Sequence, residues 1–229
     1  MNRPSESTGN DHIEALEKTV DLIAIDGLAG TGKSTIAKAL AERLGLSHLD
    51  TGASFRMMAW VALNSNAELD SETEVLKATQ NVSISYEAGK CLVNGVDVTK
   101  KIRDESVSDA ASKIAVHPQL RQKLLLWQQQ WVSDHGKSVV EGRDTTSVVF
   151  PDALVKVYLE ADPHVRASRR NETAAANVIE RDARDMSRTS APIRKVADAV
   201  VIDTTRISIS EVEDIVAGLW KSAIHSHKE

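Results

Sequence analysis

Cysteine is almost absent from the sequence. Cys91 is the single one among 229 residues, so the chain cannot form an internal disulfide, which is typical of proteins from a reducing compartment. Long apolar runs are also missing: no window approaches the roughly 18 apolar residues of a membrane span, and the first twenty residues contain no apolar stretch like that of a signal peptide. We therefore expect a cytoplasmic protein without a membrane segment.

Aromatic residues and an excess of positive charge are lacking as well. Aromatics make up only 3% of the chain, so Val, Ile, Leu and Ala must fill most of the core. The 28 Lys and Arg are outnumbered by 33 Asp and Glu, which gives a net charge of −5. Such a chain has no overall field to attract nucleic acid or an anionic membrane. Any phosphate ligand must be held by local arginines and backbone amides.

Short apolar runs alternate with stretches of helical periodicity along most of the chain. The runs predict buried strands at residues 20–25, 46–49, 138–140, 154–159 and 199–202. Apolar residues at helical spacing predict helices at residues 33–44, 51–63, 105–116, 118–133, 164–170 and 173–187. A capping box of Ser210 and Glu213 predicts the start of a last helix. This order predicts an α/β fold of three layers, α/β/α, with a central parallel sheet.

The pattern changes between residues 82 and 98. Apolar and polar residues alternate there, and Asn94-Gly95 is a strong hairpin signal. We expect a small antiparallel meander inserted between helical segments.

A glycine-rich loop follows the first predicted strand. Residues 27–34 are GLAGTGKS, a full match to G-x-x-x-x-G-K-[ST] between a strand and a helix. Backbone amides of such a loop surround phosphate oxygens, while Lys33 reaches the β- and γ-phosphates and the Ser34 hydroxyl coordinates Mg²⁺. The motif predicts nucleotide binding in a P-loop NTPase fold. The sequence has no N-K-x-D base-recognition motif, which disfavours a GTPase.

The segment LDTGASFR, residues 49–56, combines a strand end with a helix start. Thr51 offers a hydroxyl at the carboxyl edge of the sheet, and Arg56, about one helical turn further on, can clamp a phosphate. A capped helix with a solvated arginine would explain the same residues.

In the segment VVEGRDTTSVVFPDA, residues 139–153, charged residues come directly after a buried strand. The strand delivers Glu141, Arg143 and Asp144 to the carboxyl edge, where open parallel sheets bind ligands. Glu141 suits an acidic group near Mg²⁺. A solvated loop remains an alternative for this triplet.

The segment ERDARDMSR, residues 180–188, places Arg181, Arg184 and Arg188 on one helical face. An exposed ladder of ion pairs would give the same pattern. The three segments together, beside a phosphate loop, favour phosphoryl transfer to a small anionic acceptor.

The chain resembles the bacterial cytidylate kinases, P-loop kinases of nucleoside monophosphates. The resemblance extends from Leu22 to about Trp220 and is most specific in LDTGASFR, VVEGRD with VVFPDA, ERDARDMSR, and AVVIDTT at 199–205. The meander with NGVDVT at 94–99 is similar to that family's enlarged acceptor-binding region. The resemblance implies Mg²⁺-dependent phosphorylation of CMP and dCMP by ATP, in pyrimidine metabolism. Small size and the lack of an obvious apolar patch favour a monomer.

The resemblance also implies a division of the chain. The polar composition of the first residues predicts a disordered or weakly helical tail at 1–19, and the resemblance implies that 20–229 is the kinase domain. Within it, 20–50 and 134–229 would form the core, 51–133 the acceptor-binding region, and 171–184 a short helical lid.

Specific site residues follow from the same resemblance. ATP would be held by Gly27, Leu28, Ala29, Gly30, Thr31, Gly32, Lys33, Ser34 and Thr35. The cytosine would face Thr51, Arg121, Asp144 and Arg188, and the ribose would be approached by Ser112, Arg181 and Asp185. Arg56 and Arg143 would hold the acceptor phosphate, and Mg²⁺ would bind Ser34 and Glu141. Catalysis would depend on Lys33, Arg143, Asp144 and Arg188.

The sequence departs from that family at three places. Phe55 stands where tyrosine is usual, and Thr145-Thr146-Ser147 replaces a segment that usually contains a glycine, so the local turn must differ. Only nine residues, 171–179, separate Arg170 from Glu180. The lid, which Arg169 and Arg170 would begin, should be short.

Two other functions remain open from the residues alone. One is a P-loop kinase for another small acceptor, such as a different nucleoside monophosphate or shikimate. The other is a nucleotide-binding regulator that has lost catalysis, to which the short lid and the altered turn would be suited.

Overall fold

The computed structural model describes residues 20–169, 182–183 and 193–226. The strands are β1 (Val20–Gly27), β2 (Ser47–Asp50), β3 (Ile84–Glu87), β4 (Lys90–Val93), β5 (Val96–Asp97), β6 (Ser138–Gly142), β7 (Ala153–Glu160) and β8 (Val200–Asp203). The helices are α1 (Lys33–Leu44), α2 (Thr51–Asn64), α3 (Glu72–Thr79), α4 (Glu105–Ile114), α5 (Pro118–His135), α6 (Pro163–Arg169) and α7 (Ile209–Ser226).

A parallel sheet in the order β2-β6-β1-β7-β8 forms the centre of the molecule. β1 lies in the middle, and its side chains alternate between two apolar clusters. Leu22 and Ala24 belong to one cluster, Ile23 and Ile25 to the other, and all four are fully buried. A strand buried on both faces needs an unbroken apolar run, which is the signal that predicted β1.

Helices cover both faces of this sheet. α1 and α7 lie on one face, where Leu40 and Val216 are fully buried together. α2, α4 and α5 lie on the opposite face, where Met57, Ile114 and Leu120 are fully buried. The predicted three-layer α/β/α architecture is confirmed.

The predicted meander is also confirmed. β3, β4 and β5 form a separate antiparallel sheet, and the turn before β5 has positive φ at Asn94 (49°) and Gly95 (78°), the conformation that Asn-Gly favours. Tyr86 and Cys91 of this small sheet pack into the same cluster as α2 and α5. The insertion therefore shares a core with the main sheet.

The predicted capping box of the last helix is wrong by two residues. Ser208, not Ser210, caps α7: its Oγ accepts the Glu211 N–H (3.2 Å), and its own N–H donates to Glu211 Oε2 (2.7 Å). Both Ser-x-x-Glu pairs occur in the sequence. The earlier one is used because it puts Ile207 just before the cap and Val212 one turn later, and both contact the same apolar cluster as a hydrophobic staple.

Two further differences concern β8 and α3. The last strand was expected to be buried, but Val200 and Val201 are 39% and 46% exposed because β8 is at the sheet edge. α3 has no counterpart among the predicted helices. None of the described helices has the length and hydropathy needed to cross a bilayer. The tail at 1–19, most of the lid at 171–184 and the helix expected at 173–187 lie outside the described residues.

Candidate active site

A cleft of about 840 Å³ opens at the carboxyl ends of β1, β2 and β6. This is the edge at which ligands bind in open parallel sheets. One wall is the glycine-rich loop, and the opposite wall carries residues from α2, α4 and α5. Apart from Gly27 and Leu28, the predicted donor and acceptor residues that the structure describes all line this cleft.

The glycine-rich loop ends at the start of α1. Gly32, with φ 92°, is the N-cap residue of this helix and has no side chain with which to accept from its first amides. The first amides of a helix are hydrogen-bond donors without partners inside the helix, and they lie at the positive end of the helix dipole. Both properties favour the binding of a phosphate. Lys33 Nζ donates to the Leu28 carbonyl (2.8 Å) and so lies over the loop.

α6 supports this loop from behind. Gly30 has φ 77°, and a Cβ there would lie 2.5 Å from the Arg166 carbonyl oxygen, so only glycine fits. Arg166 donates to the Ala29 carbonyl (3.1 Å) and pairs with Asp182, and both side chains are buried. The loop is thereby fixed to α6 before any ligand binds.

The two residues expected to hold Mg²⁺ lie together. Ser34 Oγ donates to Glu141 Oε2 at 2.8 Å, although the residues are 107 positions apart. A hydroxyl and a carboxylate are hard oxygen donors of the type that Mg²⁺ takes beside nucleotide phosphates. No cluster of three His, Cys, Asp or Glu able to hold a metal occurs among the described residues.

Asp50 forms ion pairs with two arginines on the acceptor side of the cleft. Its carboxylate caps α2 at the Ala53 N–H (3.0 Å) and accepts from Arg56 Nη2 (2.5 Å) and Arg103 Nη1 (3.1 Å). Burial alone would raise the pKa of Asp50, but Arg56 and Arg103 hold it below its usual value. Sequence reasoning missed Arg103, which lies in a single 3-10 turn before α4 with no motif around it.

Asp144 and Arg121 form an ion pair inside the cleft. Arg121 also donates to the Ala115 carbonyl (2.9 Å), and its guanidinium lies 5.5 Å from the centre of the Phe55 ring. The phenylalanine that departs from the family pattern therefore contacts this arginine as an aromatic face for a cation.

Three polar groups of the cleft are poised toward a ligand. Thr51 Oγ1 donates to the Glu141 carbonyl (2.7 Å), so the hydroxyl oxygen keeps its lone pairs as acceptors. Ser112 Oγ and Arg56 Nε are buried and have no partner among the described residues. Buried polar atoms are nearly always satisfied, so these two favour a polar ligand.

The altered turn after Asp144 is held by Asp26. Its carboxylate accepts the amides of Thr145 (2.9 Å) and Thr146 (2.7 Å) and the Thr146 hydroxyl (2.6 Å). Burial raises the pKa of Asp26, an effect that these hydrogen bonds oppose. The hydroxyl of Thr146 thus adds a side-chain contact with Asp26 in this turn.

Arg143 lines the cleft and contacts the start of the glycine-rich loop. Its Nη1 donates to the Gly27 carbonyl (2.5 Å), at the start of the glycine-rich loop. Arg169, which also lines the cleft, donates to the carbonyl and hydroxyl oxygens of Thr204 (2.7 and 3.1 Å). Thr204 and Ile209 also line the cleft, and sequence reasoning gave neither a role. Arg170, Arg181, Asp185 and Arg188 lie outside the described residues.

Comparison with known proteins gives a consistent result. The model of the family described as cytidylate kinase matches residues 23–222. A cytidylate kinase from Solibacter usitatus (strain Ellin6076) is 38% identical over 222 residues, which cover 91% of this chain and 95% of that protein. Cytidylate kinases from Geobacillus sp. (strain WCH70) and Bacillus velezensis are 40% and 42% identical, covering 84% and 83% of this chain and 92% of each relative.

Proposed function

The chain belongs to the cytidylate kinase family, and on this basis we propose that it transfers the γ-phosphoryl group of ATP to CMP and dCMP. The observation that carries the proposal is the shared cleft, with the glycine-rich loop on one wall and acceptor-side arginines on the other. Phosphoryl transfer needs both phosphates aligned among positive groups with little covalent help from the protein, and such a cleft can provide this.

On the donor side, the α1 amides and Lys33 would bind the β- and γ-phosphates. Ser34 and Glu141 would hold Mg²⁺, which supplies neutralising charge to the phosphate oxygens when bound. Arg143 contacts Gly27 at the mouth of the loop, a position suited to an arginine that must stabilise charge between donor and acceptor.

On the acceptor side, Arg56 and Arg103 would bind the phosphate of CMP. They are already drawn together by Asp50, so less side-chain entropy is lost when the phosphate arrives. Ser112, whose buried hydroxyl has no partner among the described residues, would bind the ribose. Asp144, Arg121 and Thr51 would recognise the cytosine, whose amine donates and whose N3 accepts.

The proposal is tested by coupled ADP release with CMP, dCMP, UMP, AMP and shikimate as acceptors. CMP and dCMP should give the highest kcat/KM. A preference for AMP or shikimate would assign the chain to another acceptor, and binding of ATP without turnover on any acceptor would assign it a regulatory role.

Lys33→Ala should lower kcat by orders of magnitude with an unchanged circular dichroism spectrum, because Lys33 stabilises the transferring phosphoryl group. Lys38→Ala is the matched control, since Lys38 is an exposed lysine of the same helix. Unchanged turnover in Lys33→Ala would disprove the site.

We also propose that the enzyme acts as a monomer in the cytoplasm. The net charge of −5 gives no field for nucleic acid or membrane, and the substrates are small nucleotides. Sedimentation of the purified protein at micromolar concentration tests the monomer.

A further inference from the structure

A line of hydrogen bonds joins the small antiparallel sheet to the carboxylate assigned to Mg²⁺. Tyr86 Oη on β3 lies 3.1 Å from His48 Nδ1 on β2, and His48 Nε2 lies 3.2 Å from Glu141 Oε1 on β6. The other oxygen of that carboxylate, Glu141 Oε2, accepts from Ser34. Four side chains from four elements, Tyr86, His48, Glu141 and Ser34, thus meet in one line.

This line lies mostly out of water. The side chains of His48 and Glu141 are 16% and 3% exposed, and Tyr86 is 2% exposed. Burial, and then the negative charges of Asp50 and Glu141, raise the pKa of Tyr86, so its hydroxyl keeps the proton. Hydrogen bonds in such surroundings are stronger than at the surface, and unpaired groups cost more.

The proton positions in the line follow from the groups at its ends. Glu141, as a carboxylate, can only accept, so His48 Nε2 must carry the hydrogen that faces it. In the tautomer that has its hydrogen on Nε2, Nδ1 is an acceptor, and the Tyr86 hydroxyl can donate to it. Every donor has one acceptor in this arrangement, and the hydrogen bond from Tyr86 stabilises the tautomer that lets His48 hold Glu141.

We propose that His48 is a positioning residue for the Mg²⁺-binding carboxylate, and that Tyr86 fixes the ring that does so. Mg²⁺ requires near-octahedral geometry at about 2.0–2.1 Å, whereas a glutamate has several rotatable bonds. His48 restrains one carboxylate oxygen and leaves the other, next to Ser34, for the ion. Partners that orient a metal ligand typically change metal affinity or activity by about 10- to 100-fold.

The inference rests on the proposed function only in placing Mg²⁺ at Ser34 and Glu141. Its test is therefore made on ATP binding without any acceptor. The affinity for ATP is measured by calorimetry in excess Mg²⁺ and in EDTA, and the Mg²⁺ concentration for half-maximal turnover is measured separately. Failure to phosphorylate CMP would overturn the proposed function and leave the ATP-binding result intact.

Three variants separate positioning from packing. His48→Leu keeps a side chain of similar bulk and removes both nitrogens. This variant should lose most of the gain in ATP affinity that Mg²⁺ gives the wild type. Its half-maximal turnover should need a Mg²⁺ concentration at least roughly 10-fold higher. His48→Gln keeps an N–H donor close to the position of Nε2 and should restore most of the gain. Tyr86→Phe removes only the hydroxyl and should give a smaller loss in the same direction.

His117→Leu is the matched control. His117 is a buried histidine (6% exposed), and its Nε2 contacts the Leu69 carbonyl (2.7 Å) away from the cleft. The His117→Leu variant should have a lower thermal stability, and the ratio of its ATP affinities with and without Mg²⁺ should equal that of the wild type. If His48→Leu behaves like His117→Leu, or if His48→Gln is as impaired as His48→Leu, His48 only packs and the proposal is wrong.

Discussion

Asp144 is the residue at which the choice of base should be decided. It is 7% exposed, lines the cleft and is paired with Arg121. Its carboxylate can accept from the cytosine amine, but it would face a carbonyl oxygen of uracil, and an unpaired buried group costs roughly 1–3 kcal/mol. In Asp144→Asn the amide can turn its NH₂ to that carbonyl. We predict that the preference for CMP over UMP in kcat/KM falls by about 10-fold or more.

The control for this prediction is Asp134→Asn, an exposed position in α5, which should leave the preference unchanged. If Asp144→Asn lowers activity on CMP and UMP by the same factor, Asp144 only orients Arg121, and the base is recognised by other residues.

Asp50 should make stability depend on acid pH. Because Arg56 and Arg103 hold its folded-state pKa below the usual value, its stabilising contribution is complete above the unfolded pKa of about 3.9 and is lost as pH falls through the folded pKa. Asp50→Asn should lower the free energy of unfolding by roughly 1–3 kcal/mol at pH 7, and the difference from wild type should narrow below about pH 4. Urea unfolding of both proteins at pH 7 and at descending acid pH measures this, and a constant difference would contradict it.

At the scale of elements, the start of α7 offers a direct comparison of two serines. Ser208 caps the helix and Ser210 lies inside it. Ser208→Ala should lower the free energy of unfolding by about 1 kcal/mol, whereas Ser210→Ala should be close to neutral, since alanine is the better helix former. Chemical denaturation of the two variants decides which serine is the cap; the reverse order would contradict the structure.

The elements that sequence predicted well are those with several agreeing signals. β1, the glycine-rich loop and α1 follow each other within 25 residues, and each confirms the next. The meander was found from alternation together with Asn94-Gly95. The cap of α7 was misplaced because two identical Ser-x-x-Glu pairs overlap, and only the burial of Ile207 and Val212 distinguishes them.

In the candidate site, too, some contacts could be predicted from the sequence and others could not. The meeting of Ser34 with Glu141 could be predicted, since Ser34 follows β1 and Glu141 lies near the end of β6, and the carboxyl ends of these two strands share an edge of the sheet. Arg103 and His48 could not, because their roles depend on contacts with Asp50, and with Glu141 and Tyr86, across elements distant in sequence. Periodicity reveals which residues are buried but not which neighbour a polar side chain will meet.

At the scale of the whole molecule, the exclusion of water from the cleft remains a prediction from sequence. Only nine residues separate Arg170 from Glu180, and this segment lies outside the described residues. A short lid should close incompletely over ATP, so we predict detectable release of phosphate from ATP without an acceptor. Lys33→Ala should abolish this release. Hydrolysis immeasurably slow beside transfer to CMP would mean that the short segment closes the site well enough.

The position of β1 at the middle of the sheet has a consequence for the chain as it leaves the ribosome. Leu22 lies opposite Ser138 of β6, more than a hundred residues later, and Ile23 lies opposite Val155 of β7. At about 5–20 residues per second, the central strand waits roughly 6–23 s for its first neighbour to be synthesised. During that time an unpaired apolar segment is exposed to aggregation. The nascent protein should therefore depend on chaperones near the exit tunnel until both neighbours have emerged.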